Sequence, residues 1–132
     1  MPFYLLDTNI LIDLAGEKSS KTFFEGLLED PGVRLGTSIL SIAEFAAGAG
    51  PQEEKFLKDW LQTEELEVIC LDTVEDAFRA GELRRKHSLT LADALILASA
   101  VRERAHLLTH DEIFLKKAKT VIRVTDPLRA AG

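Results

Sequence analysis

The chain has 132 residues, 46% of them apolar and 29% charged, with a formal net charge of −6. That length suits one domain, residues 1–132, with a real core. The net acidity argues against a simple nucleic-acid binder, and no apolar run approaches the roughly 20 residues that cross a bilayer, so no membrane partner is expected. Cys70 is the single cysteine; it cannot form an internal disulfide, and within VICL it is expected to pack as a small buried hydrophobe. The first residues show neither the basic region nor the cleavage pattern of an export signal, so a cytoplasmic location is expected.

In chain order, Phe3 to Leu6 is apolar throughout and reads as a strand; its lack of alternation suits a central position in a sheet covered on both faces. Helical spacing follows over Asn9–Leu14 and Ser20–Glu29, with GEKSS and then DPG as punctuation. Val33 to Thr37 reads as the second strand, followed by helices over Ile39–Gly48 and, after GAGP, Gln52–Thr63. Val68 to Leu71 reads as a third strand, with helices over Val74–Lys86 and Leu91–Arg104. His106 to Thr109 and Val121 to Val124 complete the strands, with a short helix over Glu112–Lys117 between them. Strands alternating with helices imply βαβ units and hence a three-layer α/β/α, Rossmann-like fold around a mainly parallel sheet of about five strands. There is no repeat, low-complexity tract or linker.

Four acids stand in apolar settings without a basic partner nearby in the chain. Asp7 ends the first strand, and no Lys or Arg lies within ten residues of it. Asp111 follows the HLLT strand by one residue, after His110, so both acids are expected on the carboxyl rim, where open α/β sheets bind ligands. Glu44, in SILSIAEFAAG, lies too deep in its helix to act as a cap. Its neighbours three and four positions away are Leu40, Ser41, Ala47 and Gly48, so it has no pair along the helix. A helix apolar nearly all round is expected to be buried, which would bury Glu44. Asp93 is the one charge in LTLADALILASA.

Each acid also has a plainer role. Asp7 can cap a helix by accepting from the backbone of Asn9 or Ile10, Thr90 and Asp93 have the spacing of a capping box, and Asp111 can cap the helix beginning near Glu112. Burying four carboxylates separately would cost several kcal/mol each, whereas a divalent cation at a point of convergence would neutralise them together. An all-oxygen ligand set suits Mg²⁺, with Mn²⁺ as a plausible substitute. His87, His106 and His110 lack paired zinc-type spacing, and His110 reads as a rim residue.

These residues resemble a known family. LLDTNILIDL, SIAEFAAG, LADALILASA and LLTHDEIF are similar, in order and over nearly the whole chain, to the four motifs of PIN-domain nucleases, and specifically of the VapC-type toxin ribonucleases of toxin–antitoxin pairs. The resemblance implies Asp7, Glu44, Asp93 and Asp111 as catalytic and metal-binding acids, with Asp111 the least secure transfer and Glu112 able to share its role. It implies Thr8, Asn9 and Thr109 as supporting groups that orient ligands or waters. The activity implied is metal-dependent endonucleolytic hydrolysis of RNA, leaving 5′-phosphate and 3′-hydroxyl ends. It further implies a cognate antitoxin partner and a homodimer or higher assembly.

Arg84, Arg85 and Lys86 form the densest basic cluster and are candidate RNA contacts; a solvated helix end fits them equally. Lys116, Lys117 and Lys119 read as solvent-facing, and Ser38 as a helix cap. Phe56, Leu57, Trp60 and Leu61 form an apolar stripe, as do Phe23, Phe24, Leu27 and Leu28; both read first as core, with Phe56 and Trp60 as candidate partner contacts. Two alternatives stand beside the nuclease: a PIN-like binding or scaffold module without catalysis, and an aspartyl phosphatase on a similar sheet. The phosphatase usually needs a second acid two residues after the first, where this chain has Asn9.

Overall fold

The structure is a computed structural model that describes residues 2–16 and 21–130, leaving most of GEKSS, and the expected helix start at Ser20, outside the described residues. Strand β1 (Phe3–Leu6) leads into α1 (Thr8–Ala15) and α2 (Lys21–Leu28). β2 (Arg34–Ser38) is followed by α3 (Ile39–Gly48) and α4 (Pro51–Gln62), and β3 (Leu66–Ile69) by α5 (Val74–His87) and α6 (Leu91–Glu103). β4 (His106–Leu108), α7 (Glu112–Ala118), β5 (Val124–Thr125) and α8 (Pro127–Ala130) complete the chain.

The five strands form one sheet in the order β3-β2-β1-β4-β5, with every pair parallel. β1 is central, as its uninterrupted apolar sequence requires, and its register sets Leu5 beside Gly36 and Leu107. Side chains of a strand alternate between faces, and the core divides accordingly. Leu5 and Leu107 join Ala94, Leu97, Ala100 and Phe114 of α6 and α7 on one face. Leu6 and Leu108 join Ile10, Leu11, Phe24, Phe45 and Leu57 of α1 to α4 on the other. Phe3 packs its ring so tightly over Gly36 that a Cβ there would lie 2.6 Å from it, which accounts for the glycine inside β2.

Three expectations need correction. β3 begins two residues earlier than VICL suggests, so Cys70 falls beyond the strand and is exposed. There its carbonyl accepts from Arg102 Nη2 at 2.8 Å, so the segment is held through the backbone and the thiol is not packed. The α3 helix is not buried all round: Ser41 and Phe45 turn inward, whereas Ile39, Ala43, Ala46 and Ala47 face outward with Glu44. Small alanines let a solvent-facing surface read as apolar. The last strand is the two-residue β5, displaced toward Asp126, and the one-turn α8 after it has no periodicity that could have announced it.

Candidate functional site

Every strand points the same way, so the residues that follow β1 and β4 stand at one rim. Asp7 follows β1 directly and is only 5% exposed. It is the N-cap of α1, but the bond to its Oδ1 comes from the Thr8 backbone at 2.9 Å and not from Asn9 or Ile10. Its Oδ2 accepts from Thr109 Oγ1 at 2.7 Å. Thr109 Oγ1 in turn accepts from Asn9 Nδ2 and from the Asp111 backbone, each at 3.1 Å, and Asn9 Oδ1 accepts from the His110 backbone at 2.9 Å. Asp7, Asn9 and Thr109 therefore form a closed network that locks the ends of β1 and β4 together.

The network orients Asp7 without neutralising it. Burial pushes its pKa up to about 6; the bonds from Thr109 and Thr8 act against this, and the negative charges of Asp93 and Glu44 add to it. Asp93 is half-buried at the start of α6, whose cap is Thr90 Oγ1 accepting from the Asp93 backbone at 3.1 Å. Its pKa is also raised, by burial first and then by Asp111 and Glu44, with Thr90 and Lys117 opposing. The four acids thus come from β1, α3, α6 and the turn after β4, and act on one another through space.

They surround the rim without closing on a point. Among the described residues, no three His, Cys, Asp or Glu side chains are drawn together tightly enough to hold an ion as they stand. Each carboxylate is held by a neutral donor: Glu44 Oε1 accepts from Thr8 Oγ1 at 2.7 Å, and Asp111 Oδ1 caps α7 by accepting from the Phe114 backbone at 3.0 Å. Glu44 and Asp111 are exposed, so their side chains can swing without repacking. Glu112 points elsewhere, its carboxylate lying 3.3 Å from Arg129 and 3.6 Å from Lys116. The oxygen-only donor set, with two acids disfavoured in their charged form, fits a hard divalent cation.

Two features escape the sequence. Lys117, expected in solvent, is half-buried: its Nζ donates to the Ser88 carbonyl at 2.8 Å, and its charge favours ionised Asp93. His110 lies between Asp13 and Asp126, with Nε2 and Nδ1 each 2.7 Å from a carboxylate oxygen, tying the site's β4 turn to α1 and to the end of β5. No local pattern links residues 13, 110 and 126, so only the sheet order brings them together.

Arg84, Arg85 and Lys86 are exposed in the last turn of α5 and, among the described residues, form no ion pair with the acids. Ser38 caps α3, accepting from the Leu40 backbone at 3.1 Å. Phe56 and Trp60, with ring centroids 5.9 Å apart, line an apolar groove with Leu14, Phe24, Leu28 and Leu35, on the opposite face of the sheet from α6. A depression of mixed character, lined by Phe3, Tyr4, Arg104, His106, Ile122 and Arg123, opens at the amino ends of the strands and includes none of the acids in its lining.

The fold is that of the open parallel α/β/α proteins, which bind ligands outside the carboxyl ends of their strands, where Asp7 and Asp111 stand here. The profile of the PIN domain family matches residues 4–120, and the chain belongs to that family. A toxin–antitoxin complex from Klebsiella pneumoniae is 30% identical, with a TM-score of 0.74 over 94% of this chain and 97% of that one. VapBC2 from Rickettsia felis, solved bound to a promoter DNA fragment, is 23% identical, with a TM-score of 0.72 over 94% and 98% of the two chains. VapBC-1 from nontypeable Haemophilus influenzae is also 23% identical, with a TM-score of 0.72 over 96% and 98%. No curated protein matches the sequence.

Proposed function

We propose that this chain is the toxin of a toxin–antitoxin pair and a divalent-metal-dependent endoribonuclease. The observation that carries the reading is Asp7: a carboxylate buried at the end of the central strand, facing two other acids, with no basic side chain in hydrogen-bond contact among the described residues. Such a group is costly unless something outside the chain neutralises it. Asp7 and Asp93 would hold the cation from the floor of the rim, with Glu44 and Asp111 closing from its edge. Once bound, a Mg²⁺ or Mn²⁺ ion supplies Lewis acidity toward a phosphodiester and the attacking water.

The remaining roles belong to the chain's own residues. Thr109 and Asn9 fix the Asp7 carboxylate, and Thr8 positions Glu44. Lys117, beside Asp93, favours the ionised acid that a cation needs. Arg84, Arg85 and Lys86 are the candidate phosphate contacts for RNA. The groove around Phe56 and Trp60 is the candidate seat for an apolar segment of the antitoxin, and a homodimer or higher toxin–antitoxin assembly is the expected state.

The test uses the purified chain and an end-labelled RNA. Cleavage is expected with Mg²⁺ or Mn²⁺, to stop on adding EDTA, and to be lost in Asp7→Asn and Asp93→Asn with the fold intact. RNA retained without metal-dependent products would sink the enzyme reading in favour of a binding module, and a trapped phosphoaspartate would favour the phosphatase.

A further inference from the structure

The depression at the amino ends of the strands has a volume of about 310 Å³, the size of a small-molecule site. It lies at the opposite end of the strands from the acidic rim. The pairing of β1 with β4 sets Tyr4 beside His106, with ring centroids 4.9 Å apart and planes tilted by 31°. His106 Nε2 is 2.7 Å from Thr125 Oγ1, so the imidazole is held in place from β5.

Two guanidinium groups belong to the same lining, those of Arg104 and Arg123. Arg104 is the C-cap of α6 and has φ 53°, in the left-handed region that favours glycine. Arg123 is fixed by its carbonyl, which accepts from the Leu107 backbone at 2.9 Å. Neither arginine enters an ion pair or a side-chain hydrogen bond among the described residues. The acids that flank them are engaged elsewhere. Glu103, next to Arg104 in the chain, binds Arg102 at 2.9 Å. Glu67 binds Arg34 at 2.7 Å, and the Arg34 guanidinium lies over the Phe3 ring that also lines the depression.

The charge of Arg123 reaches His106, whose pKa is held below the ordinary value by burial first and then by that arginine. The imidazole therefore stays neutral at pH 7, and the positive charge of the depression is that of the two arginines. Two cations lining one small depression repel each other, in a chain whose net charge is −6. An anion removes that repulsion and takes bidentate hydrogen bonds from guanidinium forks. A phosphomonoester carries close to two negative charges above its second pKa of about 6, which matches two guanidinium groups. Each phosphodiester of a nucleic-acid strand carries only one.

We propose that this depression binds the phosphate of a small phosphomonoester through Arg104 and Arg123, at a site separate from the acidic rim. The proposal goes beyond the nuclease reading and does not rest on it.

Titration calorimetry on the full chain tests it, with EDTA present so that no metal ion at the acidic rim recruits the ligand. The probes are inorganic phosphate, ribose 5-phosphate and adenosine 5′-monophosphate, at pH 7.5. Saturable binding to one site is expected, and the ring resonances of His106 should shift in the proton–carbon NMR spectrum. Arg104→Gln and Arg123→Gln should each weaken binding about tenfold or more, with an unchanged thermal midpoint because both side chains are exposed. Arg104→Gly should lose the ligand without loss of stability, which separates anion binding from a structural role. Equal affinity for the three probes supports the proposal with free phosphate as the ligand, and affinity that rises with the sugar or base supports it with an organic ester. Failure to saturate by about 10 mM, undiminished binding in the arginine variants, an unmoved His106 signal, or tighter binding of a 5′-hydroxyl oligoribonucleotide through the same arginines would each overturn it. Asp7→Asn should silence cleavage and keep the ligand, so loss of one reading is not mistaken for loss of the other.

Discussion

Replacing Asp7 by Asn should stabilise the protein while abolishing its activity. The carboxyl ionises at about 6 in the fold against 3.8 in an exposed chain, a difference of roughly two units, or about 3 kcal/mol of preference for the neutral form. Being almost fully buried, Asp7 receives little solvent screening. An acid whose folded pKa lies above its unfolded value destabilises the fold wherever it is ionised in both states. The cost is fully present above pH ~6, fades on acidification toward the unfolded value, and is absent below it. Asparagine removes this cost but keeps only one acceptor oxygen, so either the Thr8 N–H or the Thr109 O–H loses its partner, at about 1 kcal/mol. The net gain at pH 7.5 is therefore about 2 kcal/mol, or roughly 6–10 °C in Tm for a domain of this size. Thermal and urea denaturation with EDTA present, at pH 7.5 and again near pH 4, provide the assay. The gain should vanish or reverse at the lower pH, and Mg²⁺ should raise the wild-type midpoint without moving that of the variant. A variant less stable than wild type at pH 7.5, or equally stabilised at both pH values, would refute the placement of Asp7 as an uncompensated buried acid.

Other consequences can be measured directly. Thr109→Val deletes the donor to Asp7 and the acceptor for Asn9 and the Asp111 backbone, so the Asp7 pKa should rise further and Mn²⁺ affinity should fall, readable by titration calorimetry. Lys117→Met removes the charge that favours ionised Asp93; the acid limb of the cleavage pH profile should move to higher pH, with little change on the alkaline side. Asp76 behaves in the opposite sense to Asp7. Its bond from Thr73 and its pairing with Arg102 hold its pKa below the ordinary value, so it contributes stability above the unfolded pKa that is lost as pH falls through the folded one, and Asp76→Asn should flatten the acid limb of the stability curve. Phe114 is buried between α7 and the sheet, and Phe114→Ala should cost about 3–5 kcal/mol by chemical denaturation. Trp60 is the chain's single tryptophan, so its fluorescence should shift to the blue when an antitoxin fills the groove and should not respond to RNA.

What could be read from the sequence follows from the range over which each signal acts. Helix boundaries at Ile39–Gly48 and Val74–Lys86 come from local spacing and, for the first, a cap at Ser38, and these survive folding nearly unchanged, the second helix running one residue further, to His87. The central place of β1 is also local information, since a strand buried on both faces must be apolar at every position. The acids were legible for a related reason: a lone charge in an apolar run must either be solvated or be used. Burial was less legible. Glu44 reads as an interior residue because alanine does not distinguish an exposed helix face from a buried one, and Cys70 reads as core because strand ends shift by a residue or two without any local penalty.

The sequence by itself determined the alternation of strands and helices, the mainly parallel sheet that alternation implies, and which acids stand alone in apolar runs. Only the tertiary structure decided that Asp7 is buried while Glu44 and Asp111 stand exposed around it, and that Glu112 turns away to Arg129. It alone placed Lys117 beside Asp93 and His110 between Asp13 and Asp126. The physical reason is distance along the chain: a hydrogen bond or a charge acts over a few ångströms, and residues about a hundred positions apart come within that range only when the order of the strands carries them there.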